Sequence, residues 1–321
     1  MKLSVLDLVP VYPGCRPEEA LRQAAELAQL ADRVGYTRYW AAEHHDMAGL
    51  ACPAPEVLLS HIGALTERIR LGSGAVLLPH YKPIKLAETF RLLSALYPGR
   101  IDMGLGRAPG GSAHVTMALS GNFLENVRRL PESLKALTEL LEDRYVLEGA
   151  QVTARPIPSA GPELWMLGTN EKSAAYAAEF GTGYVFGRFM SPLGDREAAG
   201  LLDRYRTSFR PSKPGAAPRV ILTVSVFCAP TEMEARRLAE EGMSIFRPDS
   251  AAPSSSDERD SKGPEPTDSG YRLIAGTPEQ VRNRLAEASL LYGAEEMMIV
   301  CPIPDYSGRL ESYRLLAEAC L

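Results

Sequence analysis

Residues 38–46 read Arg38-Tyr39-Trp40-Ala41-Ala42-Glu43-His44-His45-Asp46, and the run continues through Cys52 to Pro55. A short apolar strand, Arg38–Ala42, stands between two helical patterns, one ending at Val34 and one beginning near Pro55. In an α/β barrel, residues just past a strand that feeds a helix sit on the rim that carries active sites. Glu43, His44 and His45 therefore fall where chemistry is done. Imidazole takes and gives protons near neutrality more readily than other side chains.

The same alternation runs outward in both directions. Leu3–Val9 is the first strand, and Pro17–Val34 repeats small apolar residues at helical spacing, with Pro17 at its start and Gly35 as its stop. Further strands are expected at Ile69–Leu78, Ile101–Leu105, Leu164–Leu167, Gly183–Phe186, Val220–Cys228 and Met297–Cys301. Helical patterns separate or follow them at 57–67, 83–97, 113–129, 131–141, 171–180, 196–209, 231–246, 278–292 and 309–319. Eight strands each followed by helix predict a (β/α)8 barrel spanning 1–321 as a single domain, with a doubly wound open sheet as the other α/β solution. The stretch 249–270 is rich in Ser, Pro, Asp, Glu and Gly with little to bury, and reads as a mobile polar insertion after strand seven. It is either a lid over the site or a surface excursion without a role.

Composition narrows the class. With 45% hydrophobic and 23% charged residues, the 321-residue chain has the balance of a soluble globular protein. A formal net charge of −5 argues against nucleic acid or an anionic membrane surface as partner. Five scattered cysteines form no CxxC pair and read as reduced thiols of a cytoplasmic protein. No apolar run reaches membrane-spanning length, and Leu3–Val11 is too short for a signal peptide.

Three further stretches invite chemistry. Gly104-Leu105-Gly106-Arg107-Ala108-Pro109-Gly110 fails the dinucleotide fingerprint because Pro109 takes the third glycine's place. It still lets backbone approach a ligand, and Arg107 adds a planar cation suited to phosphate, or to a surface salt bridge. Gly168-Thr169-Asn170-Glu171-Lys172-Ser173 opens a helix with three side-chain hydrogen-bonding groups where capping needs one. Strands four and five are neighbours in a barrel, so this helix start and Arg107 can converge on one phosphate. The more usual barrel phosphate site follows strands seven and eight. Leu71-Gly72-Ser73-Gly74-Ala75-Val76 carries two glycines within a strand, which mark close approach by a ligand or crowding inside a barrel. A metal site is not expected, because adjacent histidines on extended backbone point apart. His45 reads as a structural residue satisfied by neighbours, and His44 as the acid/base.

These residues together resemble the bacterial luciferase-like family of flavin-dependent monooxygenases. The resemblance runs almost end to end, through Glu43-His44-His45, Leu71–Pro79, Tyr97-Pro98-Gly99-Arg100, Gly104–Arg107, Gly168–Ser173, Ala177–Gly181 and Gly276–Val281. It implies that His44 lies beside the flavin ring, that Ser73, Gly74 and Ala75 line the ring, and that the Gly74–Ala75 peptide is cis. It further implies that Arg107, Thr169, Asn170 and Ser173 hold the phosphate of flavin mononucleotide (FMN), with Gly106 and Gly168 also binding the cofactor. Two positions depart from the family. Gly106 stands where light-emitting members tend to carry a cysteine, and Lys82 where histidine is frequent.

The activity so implied is a two-component oxygenation. Reduced FMN from a separate reductase would activate O2 for insertion into a small organic substrate, in a homodimer. Val9, Phe186 and Phe189 are expected to line an apolar substrate pocket. Hydride transfer with the deazaflavin F420, non-catalytic flavin binding, and a sugar-phosphate lyase using Glu43 are the other readings.

Overall fold

In the computed structural model, residues 1–245 and 270–321 are described. The expected polar insertion at 249–270 therefore lies outside the described residues, Gly270 apart. Eight strands form the barrel: β1 (Lys2–Asp7), β2 (Arg38–Ala41), β3 (Arg70–Ser73, resumed at Val76–Leu77), β4 (Ile101–Gly106), β5 (Glu163–Gly168), β6 (Gly183–Gly187), β7 (Val220–Cys228) and β8 (Glu296–Val300). Each pairs in parallel with the next. Closure comes from β8 beside β1, with Lys2 opposite Glu296 and Val5 opposite Ile299. The closed (β/α)8 barrel is thus the architecture, and the open sheet is excluded.

Around it stand α1 (Pro17–Val34), α2 (Pro55–Leu65), α3 (Pro83–Leu96), α4 (Ala113–Ser120), α5 (Phe123–Arg128), α6 (Leu130–Leu141), α7 (Glu171–Glu179), α8 (Asp195–Ser208), α9 (Glu232–Ile245), α10 (Pro278–Tyr292) and α11 (Tyr306–Cys320). Their ends follow local chemistry. Pro17 opens α1, and Gly35 closes it at φ 96° with its amide on the Ala31 carbonyl. Thr277 and Gln280 form a reciprocal capping box on α10. The helix expected over 113–129 is two helices instead, because Gly121 turns the chain at φ 65° and Asn122 caps a new start by accepting from the Glu125 amide. Three short strands among the described residues went unforeseen, the antiparallel pair Val146–Leu147 and Ala150–Gln151 and a third beside β7. Leu273–Gly276 pairs in parallel with the upper part of β7, Ser225 opposite Leu273. Four residues next to a polar tract, alternately half-buried and buried, are too short a run to announce a strand. Among the described residues, no helix is long and apolar enough to cross a membrane.

Strand alternation stacks the barrel interior in layers. At the N-terminal end of the strands, Arg38 donates to Asp102 at 2.7 Å and to Glu296 at 2.8 Å. Arg70 reaches the other oxygen of Asp102 at 2.5 Å, and Ser4 donates to Glu296 at 2.5 Å. This charge network closes the floor. Above it lie Leu6, Trp40, Trp165, Val185, Ile221 and Met298. The two indoles meet edge to face at 6.0 Å, and Trp40 Nε1 donates to Asp102 at 3.0 Å. Here the glycines find their reason: a Cβ on Gly72 would sit 2.4 Å from Trp40 Nε1, and one on Gly104 would sit 2.1 Å from the Ser73 carbonyl. Crowding by the indole and by the neighbouring strand, rather than a ligand, forces small residues at that depth.

Candidate active site

The inward parity of β2 sets the position of the first site residue. Trp40 and Ala42 belong to the interior cluster and Arg38 to the floor network beneath it, so 44 is the next inward position while 43 and 45 turn outward. The His44 amide donates to the Cys52 carbonyl at 3.0 Å, which pins the backbone at the rim. The ring is half-buried, and its Nδ1 is buried without a hydrogen-bond partner among the described residues. Burial, and then the charge of His45, push the imidazole below its ordinary pKa of 6.5. His44 is a neutral base at neutral pH, with Nδ1 unpaired among the described residues.

Its neighbours behave differently. Glu43 is 2% exposed and accepts from His45 Nε2 at 2.8 Å, from the Tyr81 hydroxyl at 3.0 Å and from the Leu77 amide at 3.0 Å. His45 is thus the satisfied structural residue expected of it. Glu43 faces away from the barrel interior with both oxygens engaged, so it offers no base to a lyase substrate.

β3 breaks at the rim, where the Gly74–Ala75 peptide is cis, as the resemblance implied. The Ser73 hydroxyl, fully buried, donates to the Gly104 carbonyl at 2.9 Å and accepts the Gly104 amide at 3.1 Å. It laces β3 to β4. Gly106 ends β4, and a Cβ there would lie 3.0 Å from the Ala75 methyl, so the tops of β3 and β4 touch.

Arg107 follows directly and reaches Asn170, Nη2 to Oδ1, at 3.3 Å. Among the described residues no carboxylate pairs with it. Its guanidinium is half-buried and close enough to lower the otherwise raised pKa of the Tyr184 hydroxyl, after burial and the Ser173 contact. Asn170 is the N-cap of α7, accepting the Ser173 amide at 3.2 Å. Thr169 is half-buried beside it, with its methyl against Gly187. Ser173 points down: its hydroxyl donates to the Asn170 carbonyl at 2.7 Å and contacts the Tyr184 hydroxyl at 2.9 Å. Gly168 is required by that packing, because a Cβ would fall 2.1 Å from the Ser173 oxygen. The β4 and β5 ends therefore bring the Arg107 guanidinium and a helix N-terminus together, where first-turn amides lack intrahelical acceptors.

The expected apolar wall is corrected in part. Phe189 packs against the interior cluster, as do Leu8 and Leu167. Phe186 and Val9 do not line the site. Both lie in the outer core between strands and helices, Phe186 with its ring 6.3 Å from that of Tyr184. The inward residues of β6 are 183, 185 and 187, so Phe186 has the wrong parity. Val9 likewise has the outward parity of Leu3 and Val5, while Leu6 and Leu8 face in. Among the described residues, no group of three or more His, Cys, Asp or Glu is arranged to hold a metal.

Residues 1–295 match the family described as luciferase-like monooxygenase. The chain is 41% identical to the uncharacterized protein YwcH of Bacillus subtilis (strain 168), with 99% of each chain covered. It is 35% identical to N-acetyl-S-alkylcysteine monooxygenase of the same organism, over 100% of this chain and 98% of that one. Among solved structures, apo-MsnO8 superimposes with a TM-score of 0.84 at 39% identity, covering 99% of this chain and 98% of that chain.

Proposed function

This chain belongs to the luciferase-like monooxygenase family and is a flavin-dependent monooxygenase; on that premise we propose that it is the oxygenase of a two-component system that takes reduced FMN from a separate reductase. The observation that carries the FMN reading is the meeting of Arg107, which has no carboxylate partner among the described residues, with the α7 N-terminus, on the rim where inward-facing His44 has an Nδ1 without a partner among those residues. The residues fit the group. A guanidinium binds phosphate bidentately, the α7 amides favour the same anion, and the Gly106–Ala75 contact leaves a flat wall of small residues. When bound, reduced flavin supplies the electrons that activate O2, so that one oxygen atom enters the substrate and the other leaves as water.

The chain's own residues do the rest. Arg107, Asn170, Thr169 and the amides that open α7 hold the phosphate, with Gly168 and Ser173 shaping the turn beneath them. Gly74, Ala75 and Gly106 line the ring, and Ser73 holds that wall in place through β4. His44 accepts or returns a proton at Nδ1. Leu8, Leu167 and Phe189 keep the mouth dry, which limits loss of reducing power to hydrogen peroxide. The substrate is a small organic molecule, a reading supported by similarity to a monooxygenase named for N-acetyl-S-alkylcysteine. The protein works in the cytoplasm as a homodimer, one barrel domain over 1–321 with its polar insertion at 249–270.

Anaerobic titration with reduced FMN and with reduced F420, each followed by O2, tests the assignment. FMN binding with O2-dependent reoxidation supports it. Tight F420 binding with hydride transfer in the absence of O2 would replace it by the deazaflavin reading.

A further inference from the structure

Glu43 precedes His44 and points the opposite way. Its side chain is wholly covered, yet it carries a carboxyl group that burial pushes above the ordinary range while His45, Leu77 and Tyr81 oppose the shift. An apolar residue could fill the same volume. What it could not do is accept from three donors in three segments: His45 at the end of β2, the Leu77 amide in the upper piece of β3, and the Tyr81 hydroxyl after the turn Leu78–His80. Without the carboxylate, a buried amide and a hydroxyl would be left unpaired.

The bracing continues through His45. Its amide donates to the Gly110 carbonyl at 2.8 Å, and its ring meets that of His80 edge to face at 5.9 Å. His80 stacks on Phe123 at 5.1 Å, and its Nε2 lies 2.9 Å from the Pro109 carbonyl. Pro109 and Gly110 belong to the loop that begins with Arg107. One carboxylate thus ties the backbone on both sides of His44 to the broken strand β3 and, through His45, to the loop carrying the cation.

We propose that Glu43 is a positioning residue, which holds His45 as the Nε2–H tautomer and fixes the backbone so that His44 enters the barrel mouth with Nδ1 open. The inference rests on the role proposed for His44. The titratable groups facing Glu43 are His45 on its own segment, Tyr81 from the turn after β3 and Cys52 ahead of α2, with Glu56 reached through Tyr81 and Cys52 and His80 through His45.

Glu43→Gln tests it. The amide oxygen can still accept from Leu77, but the amide nitrogen can only donate, so His45 must offer an unprotonated Nε2 and shift its proton to Nδ1. Nitrogen NMR of the histidine rings, recorded on protein without cofactor, reads the tautomer and the His44 titration directly. The expected result is a reversed His45 tautomer, a displaced His44 midpoint, a melting temperature near that of the parent, and reoxidation of bound reduced FMN slowed by about 10-fold to 100-fold. An unchanged tautomer overturns the proposal, as does a reversed tautomer with the His44 titration unmoved. Failure of the parent protein to bind FMN would count against the cofactor reading alone, because both NMR readouts are independent of it. Should Glu43→Gln not fold, Tyr81→Phe removes one donor and is expected to move the His44 midpoint in smaller measure; an unmoved midpoint there would equally overturn the proposal.

Discussion

Replacing Arg107 by alanine separates anchoring from folding. The guanidinium is half-buried, makes one side-chain hydrogen bond at 3.3 Å, and has no carboxylate partner among the described residues. Its loss should change stability by no more than about 0.5 kcal/mol. Toward a phosphate the balance differs. A hydrogen bond to a charged group contributes about 1.5–3 kcal/mol, which converts to roughly 10-fold to 150-fold in Kd. Riboflavin has the same ring and ribityl chain without phosphate, and it should bind parent and Arg107→Ala alike within about threefold, since roughly 0.6 kcal/mol is all that general packing changes would contribute. Arg107→Lys restores the charge but not the planar fork and should recover part of the FMN affinity. Raising ionic strength should weaken FMN binding in the parent more than in the alanine variant. Fluorescence titrations with both ligands, alongside thermal melts, give every quantity needed. Equal losses for FMN and riboflavin, or no loss for FMN, would refute the phosphate clamp.

His44→Asn should bind FMN with parental affinity while product formed per flavin oxidised falls about 100-fold or more, measured by comparing product with hydrogen peroxide; parental coupling would remove His44 from proton handling. His44 and His80 both have folded pKa values depressed by burial, so the unfolded chain binds more protons as pH falls below 6.5. Stability they contribute is complete above 6.5 and is lost as pH drops through their depressed folded values, and the His44→Asn melting temperature should fall less over that acid range than the parent's. Asp102→Ala should cost about 3–5 kcal/mol in urea unfolding, because it strips Arg38, Arg70 and the Trp40 indole of a shared buried acceptor; a loss under about 1 kcal/mol would show that water or Glu296 satisfies them. Ser73→Ala, which removes both bonds to Gly104, is expected to lower the melting temperature and loosen flavin binding together; a melting temperature unchanged within error would sink that account.

Much of this was legible along the chain because its causes are local. Proline at the start of α1, glycine at its end, and the alternation of apolar strand with amphipathic helix are read within a few residues, and repeated eight times they point to an α/β barrel, while the pairing of β8 with β1 that excludes the open sheet is tertiary. The rim positions of His44, Arg107 and Asn170 are legible the same way, since they follow from where strands end. Tertiary structure alone decided what the side chains at those positions do. Strand parity relative to the barrel axis put Phe186 outside and Trp40 inside, and only the indole's bulk explains Gly72. Ser73 and Ser173 carry hydroxyls that look like ligand donors in sequence but are consumed by Gly104 and Asn170. Glu43 shows the limit most plainly. Its three donors sit 2, 34 and 38 residues away, and no periodicity encodes a hydrogen bond that exists only once β2 and β3 lie side by side.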